Sequence, residues 1–144
     1  MSSPKTYTKV RVDFLISEAD LPLDDITREL GIMPSMIIRR GQPIAGGKSA
    51  YRWDAWYLSS GLSPDTYLEN HVRAVLQQIH PLRNKVRSLC ARLNTVPEVS
   101  ACVESFGADR PPLHVDEHMV RQIADLGASF DIDFYIFDPD DEDE

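Results

Sequence analysis

Residues 15–60 constrain the fold more than any other part of this chain. In order, they contain the end of an apolar strand, a helical pattern ending at Gly31, Pro34, a basic pair, a glycine-rich turn and a tryptophan-bearing strand. Gly31 suits a left-handed helix cap, and Pro34 prevents the helix from resuming. The segment therefore predicts a strand, a helix and a hairpin in close succession. Its GQPIAGGK stretch does not match the phosphate-binding loop pattern.

Alternating apolar and polar residues predict the first and last strands. Residues 8–17 alternate with the period of two that indicates a half-buried strand. Residues 130–136 alternate in the same way and predict a final strand. Asp131 and Asp133 would share its outward face, either as an acidic stripe or, as we favour, as ordinary solvated residues. The apolar positions of the two strands are Val10, Val12, Phe14 and Ile16, then Phe130, Ile132, Phe134 and Ile136.

Helix starts are predicted from capping residues. Asp20 is expected to cap the first helix, Ser63 to begin the second, and Asp116 to cap the last. Pro81 should break the second helix, after which another helix begins. Two further strands are predicted between these helices, at residues 96–106 and at residues 112–115.

The order of these elements favours an α+β fold over a doubly wound sheet. We expect one domain, residues 1–137, with an antiparallel-rich sheet and helices packed mainly on one face. At 144 residues and 42% hydrophobic composition, the chain can bury a single core. Residues 138–144 read DPDDEDE and are predicted to form an acidic disordered tail.

Several blocks of the sequence together resemble one known family. These blocks are residues 20–34 with their Leu30-Gly31-Ile32 ending, Arg40-Gly41, Trp56 and the closing Leu126-Gly127 before FDIDFYIF. They resemble an uncharacterised bacterial family, the 4279-type domain of unknown function. The resemblance covers nearly the whole chain and implies a fold and an intracellular bacterial setting. It implies no activity, and it suggests an association with immunity proteins of bacterial toxin systems.

The charge balance narrows the class of partner. The formal net charge is −8, and six of the acids lie in the last seven residues. Binding to nucleic acid by counterion release needs clustered Lys and Arg, so we expect no nucleic-acid partner. A basic protein partner suits this composition better.

The location of the protein is predicted from its apolar segments and its cysteines. No apolar run approaches the length of about 20 residues that a membrane span needs, and the N-terminus lacks the apolar core of a signal peptide. Cys90 and Cys102 lack the close spacing of a metal or redox pair and are expected to be buried free thiols. We therefore predict a cytoplasmic protein without membrane association.

The histidines do not predict a metal or catalytic site. His114 and His118 are four residues apart, but Asp116 is better used as a helix cap, so the two imidazoles need not share a face. His71 is expected at the boundary of the core. No Ser, His and acid arrangement can be assembled from local spacing. We therefore expect no metal, no cofactor and no enzymatic activity.

One cluster lacks a structural explanation. Arg39 and Arg40 precede the glycine-rich turn, while Trp53 and Tyr57 follow it, so hairpin pairing would bring guanidinium and aromatic groups together. Arg and Trp are enriched at binding hot spots. Trp56 should point to the opposite face and belong to the core, which leaves Trp53 more exposed. These four residues, Arg39, Arg40, Trp53 and Tyr57, are the predicted ligand or partner site.

Three hypotheses about function follow from these patterns. The first is a non-enzymatic cytoplasmic protein-binding domain, an immunity or regulatory factor that binds a basic partner. The alternative is a small-molecule or anion binding module that uses Arg39, Arg40 and Trp53. The third is a homodimer formed by pairing of exposed sheet edges.

Overall fold

The computed structural model describes residues 6–138, which contain five strands and four α-helices. The predicted acidic tail, 138–144, lies outside the described residues except for Asp138. A short 3-10 helix, His80–Leu82, joins the second and third helices. The strands are β1 (Tyr7–Glu18), β2 (Met36–Ile38), β3 (Asp54–Ser59), β4 (Glu98–Phe106) and β5 (Ser129–Phe137). The helices are α1 (Leu23–Leu30), α2 (Leu68–Ile79), α3 (Arg83–Leu93) and α4 (Glu117–Asp125).

The strands form one sheet in the order β2-β3-β1-β4-β5. The β2–β3, β3–β1 and β1–β4 pairs are antiparallel, whereas β4 and β5 are parallel and are connected through α4. The predicted α+β class is confirmed, and the sheet is mostly antiparallel. β1 lies at its centre, and β2 and β5 form its two edges.

The core lies between the helices and one face of the sheet, which we call the inner face. Phe14 of β1 and Trp56 of β3 meet edge to face, with ring centroids 6.3 Å apart. The Trp56 indole N–H donates a hydrogen bond to the Thr27 hydroxyl of α1 at 3.0 Å. Trp56 is fully buried, so the prediction that it belongs to the core is confirmed. The strand residues of this core include Val10, Val12, Phe14, Ile16, Trp56, Leu58, Val99, Ala101 and Val103.

The helix ends follow the predicted signals in part. Gly31 ends α1 in the left-handed conformation, with φ of 74°, and the Asp116 carboxylate caps α4 by accepting a hydrogen bond from the Met119 N–H at 2.9 Å. The predicted Asp20 cap is wrong. Pro22 occupies the N-cap position of α1, because the preceding chain is held by the Leu21 N–H, which donates to Asp54 at 2.9 Å.

Two other predicted boundaries are also wrong. α2 begins at Leu68, because residues 63–66 first form a turn in which the Thr66 N–H donates to the Ser63 carbonyl at 3.0 Å. Residues 112–115 are not a strand. Pro111 and Pro112 lack the N–H groups that a sheet ladder requires, and the chain continues directly into α4.

Stacked aromatic rings join three strands at one end of the opposite, outer face. Tyr7 of β1 stacks on Phe106 of β4 at 4.7 Å between ring centroids. Phe106 in turn stacks on Phe137 of β5 at 5.2 Å. Such pairs contribute about 0.5–1.5 kcal/mol beyond burial of their area. They help to attach β5 to the sheet independently of the inner core.

Candidate functional site

The predicted site residues lie at the hairpin between β2 and β3. The hairpin continues beyond both strands, because Gly41 N–H donates to the Tyr51 carbonyl at 2.9 Å and Tyr51 N–H donates to the Gln42 carbonyl at 3.0 Å. A bridge between Pro43 and Ala50 extends it further. The glycine-rich turn is therefore the tip of a hydrogen-bonded hairpin.

The side chain of Asp54 attaches this hairpin to the rest of the fold. Its carboxylate accepts hydrogen bonds from the Arg40 N–H at 2.6 Å and from the Leu21 N–H at 2.9 Å. These two bonds, that of Arg40 first, lower the pKa of Asp54. The backbone at Arg40 is consequently held next to the start of α1.

Three of the four predicted residues lie at the base of the hairpin. Arg39 and Arg40 are exposed on one side of the hairpin, and Trp53, which is 45% exposed, is on the other side. The Trp53 ring meets Tyr51 edge to face at 6.3 Å. Arg39 faces the Asp24 carboxylate at 3.4 Å, an exposed pair that contributes at most about 1 kcal/mol.

Tyr57 lies apart from these three residues. It sits in the middle of β3 on the outer face, opposite Leu15 of β1 and Met36 of β2, and is half-buried. Burial, followed by the nearby Asp13 carboxylate, raises the pKa of Tyr57. The structure therefore places the hairpin residues at one site and Tyr57 within the sheet.

A second surface lies on the opposite edge of the sheet and was not among the predicted binding residues. The apolar residues of β5 are in register with Val99, Ala101 and Val103 of β4, so they belong to the inner face. Unlike the inner-face residues of β1 and β4, these residues are exposed. The exposed fractions are Phe130 37%, Ile132 38%, Phe134 43% and Ile136 71%.

Acidic side chains occupy the outer face of the same edge. Asp131 and Asp133 of β5 are exposed, and Glu98 and Glu104 of β4 lie on the same face. Burial raises the pKa of Glu98, and the negative charges of Asp131 and Asp133 raise it further. A cation at this position would relieve that repulsion. We call these two acids of β5 and its four apolar residues Phe130, Ile132, Phe134 and Ile136 the β5 surface.

His71 is a third feature, and its predicted boundary position is wrong. It is only 1% exposed, because α2 directs it under the sheet-to-helix connection that follows β3. Its Nδ1 lies 2.7 Å from the Ser60 hydroxyl, while Nε2 has no hydrogen-bond partner in residues 6–138. Burial lowers the pKa of His71, an effect partly offset by the Ser63 backbone. A cavity of about 310 Å³ lies beside it.

The described part of the chain shows neither a metal-binding group nor a membrane-spanning helix. Residues 6–138 contain no group of three or more His, Cys, Asp or Glu side chains able to hold a metal ion. His114 precedes α4, whereas His118 lies in its first turn. None of the helices in this range combines the length and the apolar character needed to cross a membrane.

The sequence of this chain matches a known protein family. Residues 7–137 match the profile of a family described as Domain of unknown function (DUF4279). The chain belongs to this family. The DUF4279 match runs from the start of β1 to the end of β5, so the resemblance that the sequence blocks indicated is confirmed. No curated protein and no solved structure matches the chain.

Membership in the DUF4279 family assigns no chemistry to the chain. The two candidate surfaces of this DUF4279 domain lie at opposite edges of its sheet, the hairpin beside β2 and the acidic, apolar surface on β5. The β5 surface combines exposed apolar side chains with the exposed carboxylates of Asp131 and Asp133. It therefore differs from the hairpin, where the Arg39 guanidinium is paired with the Asp24 carboxylate and the Asp54 carboxylate accepts a hydrogen bond from the Arg40 backbone N–H.

Proposed function

We propose that this domain is a non-enzymatic protein-binding domain of the bacterial cytoplasm, an immunity or regulatory factor that binds a basic partner protein. The observation that supports it most directly is the β5 surface. A group of exposed apolar side chains is the kind of patch that marks protein interaction sites. A domain this small has little reason to leave four large apolar side chains of one strand uncovered unless another molecule contacts them.

The charge of the chain supports a basic partner. The formal net charge is −8, and the pKa of Glu98 is raised by burial and then by the neighbouring carboxylates of β5. An approaching Lys or Arg would be attracted by the carboxylates of Asp131 and Asp133 and would stabilise the charged form of Glu98. Complementary charge of this kind accelerates association and selects against acidic competitors.

The environments of the two thiols support binding as opposed to thiol catalysis. Burial raises the pKa of Cys90 to about 11, which makes its thiol a poor nucleophile at neutral pH. The pKa of Cys102 is also raised, mainly by burial. Two free cysteines also suit the reducing conditions of the cytoplasm.

Affinity capture with matched variants tests the proposal. The full chain and its Asp131→Asn/Asp133→Asn variant are used to capture proteins from the source organism at about 0.05 M and about 0.5 M NaCl. At the higher concentration the Debye length falls well below 10 Å, so charge attraction is screened. Each captured protein is purified and titrated against both forms by calorimetry. We expect a basic protein whose affinity falls at least tenfold in the variant and falls again at high salt.

A control with the same change in charge separates local from overall effects. Asp24 and Asp25 are exposed at the start of α1, away from β5, and Asp24→Asn/Asp25→Asn changes the net charge by the same amount. The control variant should bind the captured protein nearly as well as the unmodified chain. Equal binding by all three forms, or recovery of acidic proteins alone, would refute the proposal.

The hairpin supports a second candidate, an anion or small-molecule site. Its favouring observation is that Asp54 holds the Arg40 backbone in place while both guanidinium groups and half of Trp53 remain exposed. A thermal-shift titration with pyrophosphate and citrate tests this candidate, because a ligand that binds only the folded state raises the melting temperature. The shift should disappear in Arg39→Gln/Arg40→Gln. No shift with either anion in the unmodified chain would eliminate an anion site there.

A further inference from the structure

We propose that the outer edge of β5 accepts a β-strand from the partner protein, and that this strand alternates apolar and basic side chains. The inference rests on the proposed function, since it describes how the basic partner binds. Addition of an extended segment to a free sheet edge uses main-chain hydrogen bonds for affinity and alternate side chains for specificity.

The backbone of β5 leaves one row of hydrogen-bonding groups open. Ser129 N–H donates to the Pro97 carbonyl at 3.0 Å, and the Phe137 carbonyl accepts from Gly107 N–H at 3.1 Å, so these two residues of β5 direct their groups towards β4. The direction of the backbone N–H and C=O groups alternates from one residue of a strand to the next, and the register of β5 with β4 is uninterrupted. Within residues 6–138, β4 is the only strand paired with β5. The outward N–H and C=O groups belong to Phe130, Ile132, Phe134 and Ile136.

The side chains of the same four residues offer apolar contacts to an added strand. They are exposed on the inner face at this edge of the sheet. Neighbouring strands place alternate side chains side by side on one face, within contact distance of each other. A strand bonded to the open edge would therefore bring its own apolar side chains against Phe130, Ile132 and Phe134.

The acids of β5 define the other face of the added strand. Asp131 and Asp133 alternate with the apolar residues and point to the outer face, beside Glu98 and Glu104 of β4. The residues of an added strand that point the same way would lie next to these carboxylates. Lys or Arg at those positions would be attracted, and Asp or Glu would be repelled.

The same acids oppose pairing with a second copy of this chain. Two copies joined through their β5 edges would set Asp131 and Asp133 of one copy beside the same residues of the other. Like charges placed side by side across strands destabilise the pair, and each copy carries a formal charge of −8. Charged residues on an edge strand are a common protection against self-association. Charge complementarity therefore favours a strand with basic residues from another protein.

Synthetic peptides test the inference on the full chain. The probe is a peptide of nine residues, the length of β5, that alternates Val and Lys. Binding is measured by calorimetry, and hydrogen exchange of the β5 amides is followed by NMR. We expect binding that slows exchange at the four outward N–H groups and weakens at high salt, together with a light-scattering mass for the free chain of one copy.

Backbone methylation distinguishes strand addition from simple charge attraction. One peptide is N-methylated at every Val and another at every Lys. In an extended peptide the N–H groups of the Val residues point to one side and those of the Lys residues to the other, so only one of the two sets can face β5. One methylated peptide should lose at least tenfold in affinity, about 1.4 kcal/mol, and the other should bind like the parent. Equal effects of both methylations would overturn the inference. So would equal binding by a peptide of the same composition with its Val and Lys residues in two blocks.

Variants of the edge provide a second measurement. Ile132→Pro removes one outward N–H without touching the ladder to β4, whereas Ile132→Ala keeps that N–H. Ile132→Pro should weaken binding of the alternating peptide several-fold more than Ile132→Ala. If it does not fold, the peptide comparison still decides the question.

Three further outcomes separate this inference from the function on which it rests. A captured protein whose binding depends on Asp131 and Asp133 but leaves the β5 amides unprotected would overturn strand addition and leave the proposed function in place. Failure of capture and of peptide binding together would overturn both. A dimer that forms through β5 in the free chain would overturn the inference in favour of self-pairing.

Discussion

β1 and β5 have the same alternating pattern but opposite environments. In β1, Phe14 and its apolar neighbours are completely or almost completely buried beneath the helices. In β5, Phe134 and its neighbours point to the same face of the same sheet and remain exposed. The difference arises from position, because β1 is the central strand and β5 is an edge strand. Alternation thus indicates which side chains share a face, while the arrangement of helices decides whether that face is covered.

The largest expected effect compares one phenylalanine from each strand. Phe14→Ala should lower the free energy of unfolding by about 3–5 kcal/mol, because it leaves a cavity against Trp56 in a close-packed core. Phe134→Ala should lower it by less than about 1 kcal/mol, since its side chain is already partly in water. Urea denaturation at constant m value measures both. Similar losses for the two variants would show that β5 is covered in solution.

A second, smaller effect concerns the buried polar group on the covered side. Because burial lowers the pKa of His71, the unfolded chain binds a proton at a higher pH than the folded chain. The free energy of unfolding should therefore fall as the pH drops below about 6.5, by at most about 1.4 kcal/mol per pH unit for one proton.

Denaturation from pH 7.5 to pH 5.5 measures this dependence, with pH values chosen on either side of about 6.5, the ordinary pKa of histidine. His71→Gln should flatten the curve in this range. The exposed His118 provides the matched control, and His118→Gln should leave the slope unchanged. An unaltered slope in His71→Gln would contradict the burial of this histidine.

The smallest effect concerns the charges at the uncovered edge. The pKa of Glu98 is raised by burial and then by Asp131 and Asp133. The contribution of Glu98 to the free energy of unfolding therefore decreases as the pH rises above the ordinary pKa of a glutamate side chain. At neutral pH, Glu98→Gln should raise the free energy of unfolding by about 0.2–0.5 kcal/mol through loss of like-charge repulsion. The gain should be smaller in an Asp131→Asn/Asp133→Asn background, which a double-mutant cycle measures. An equal gain in both backgrounds would show that the three acids do not interact.

Much of the fold could be predicted from local signals. The alternation of residues 8–17, the Gly31 stop and the Asp116 cap each act within a few residues, and the structure confirms all three. The Asp20 cap failed because a distant side chain decides the local conformation. Asp54 binds the chain at Leu21, which is 33 residues away. Local patterns do not contain that information.

The candidate surfaces were less accessible to sequence reasoning. The hairpin cluster of Arg39, Arg40 and Trp53 could be anticipated, since hairpin pairing follows from short separation. The exposure of β5 could not, because it depends on the strand order of the whole sheet and on where the helices stop. Asp131 and Asp133 were a visible signal, but two acids on a strand are equally typical of any solvated face.

The two tryptophans give this chain a built-in pair of optical reporters. Trp56 lies in the core against Phe14, and Trp53 is 45% exposed at the base of the hairpin. Emission from the first should shift to the red only when the core opens, while emission from the second should respond to whatever approaches the hairpin. A Trp53→Phe chain would then follow folding alone by fluorescence, and the difference from the unmodified chain would isolate events at the hairpin without any attached dye.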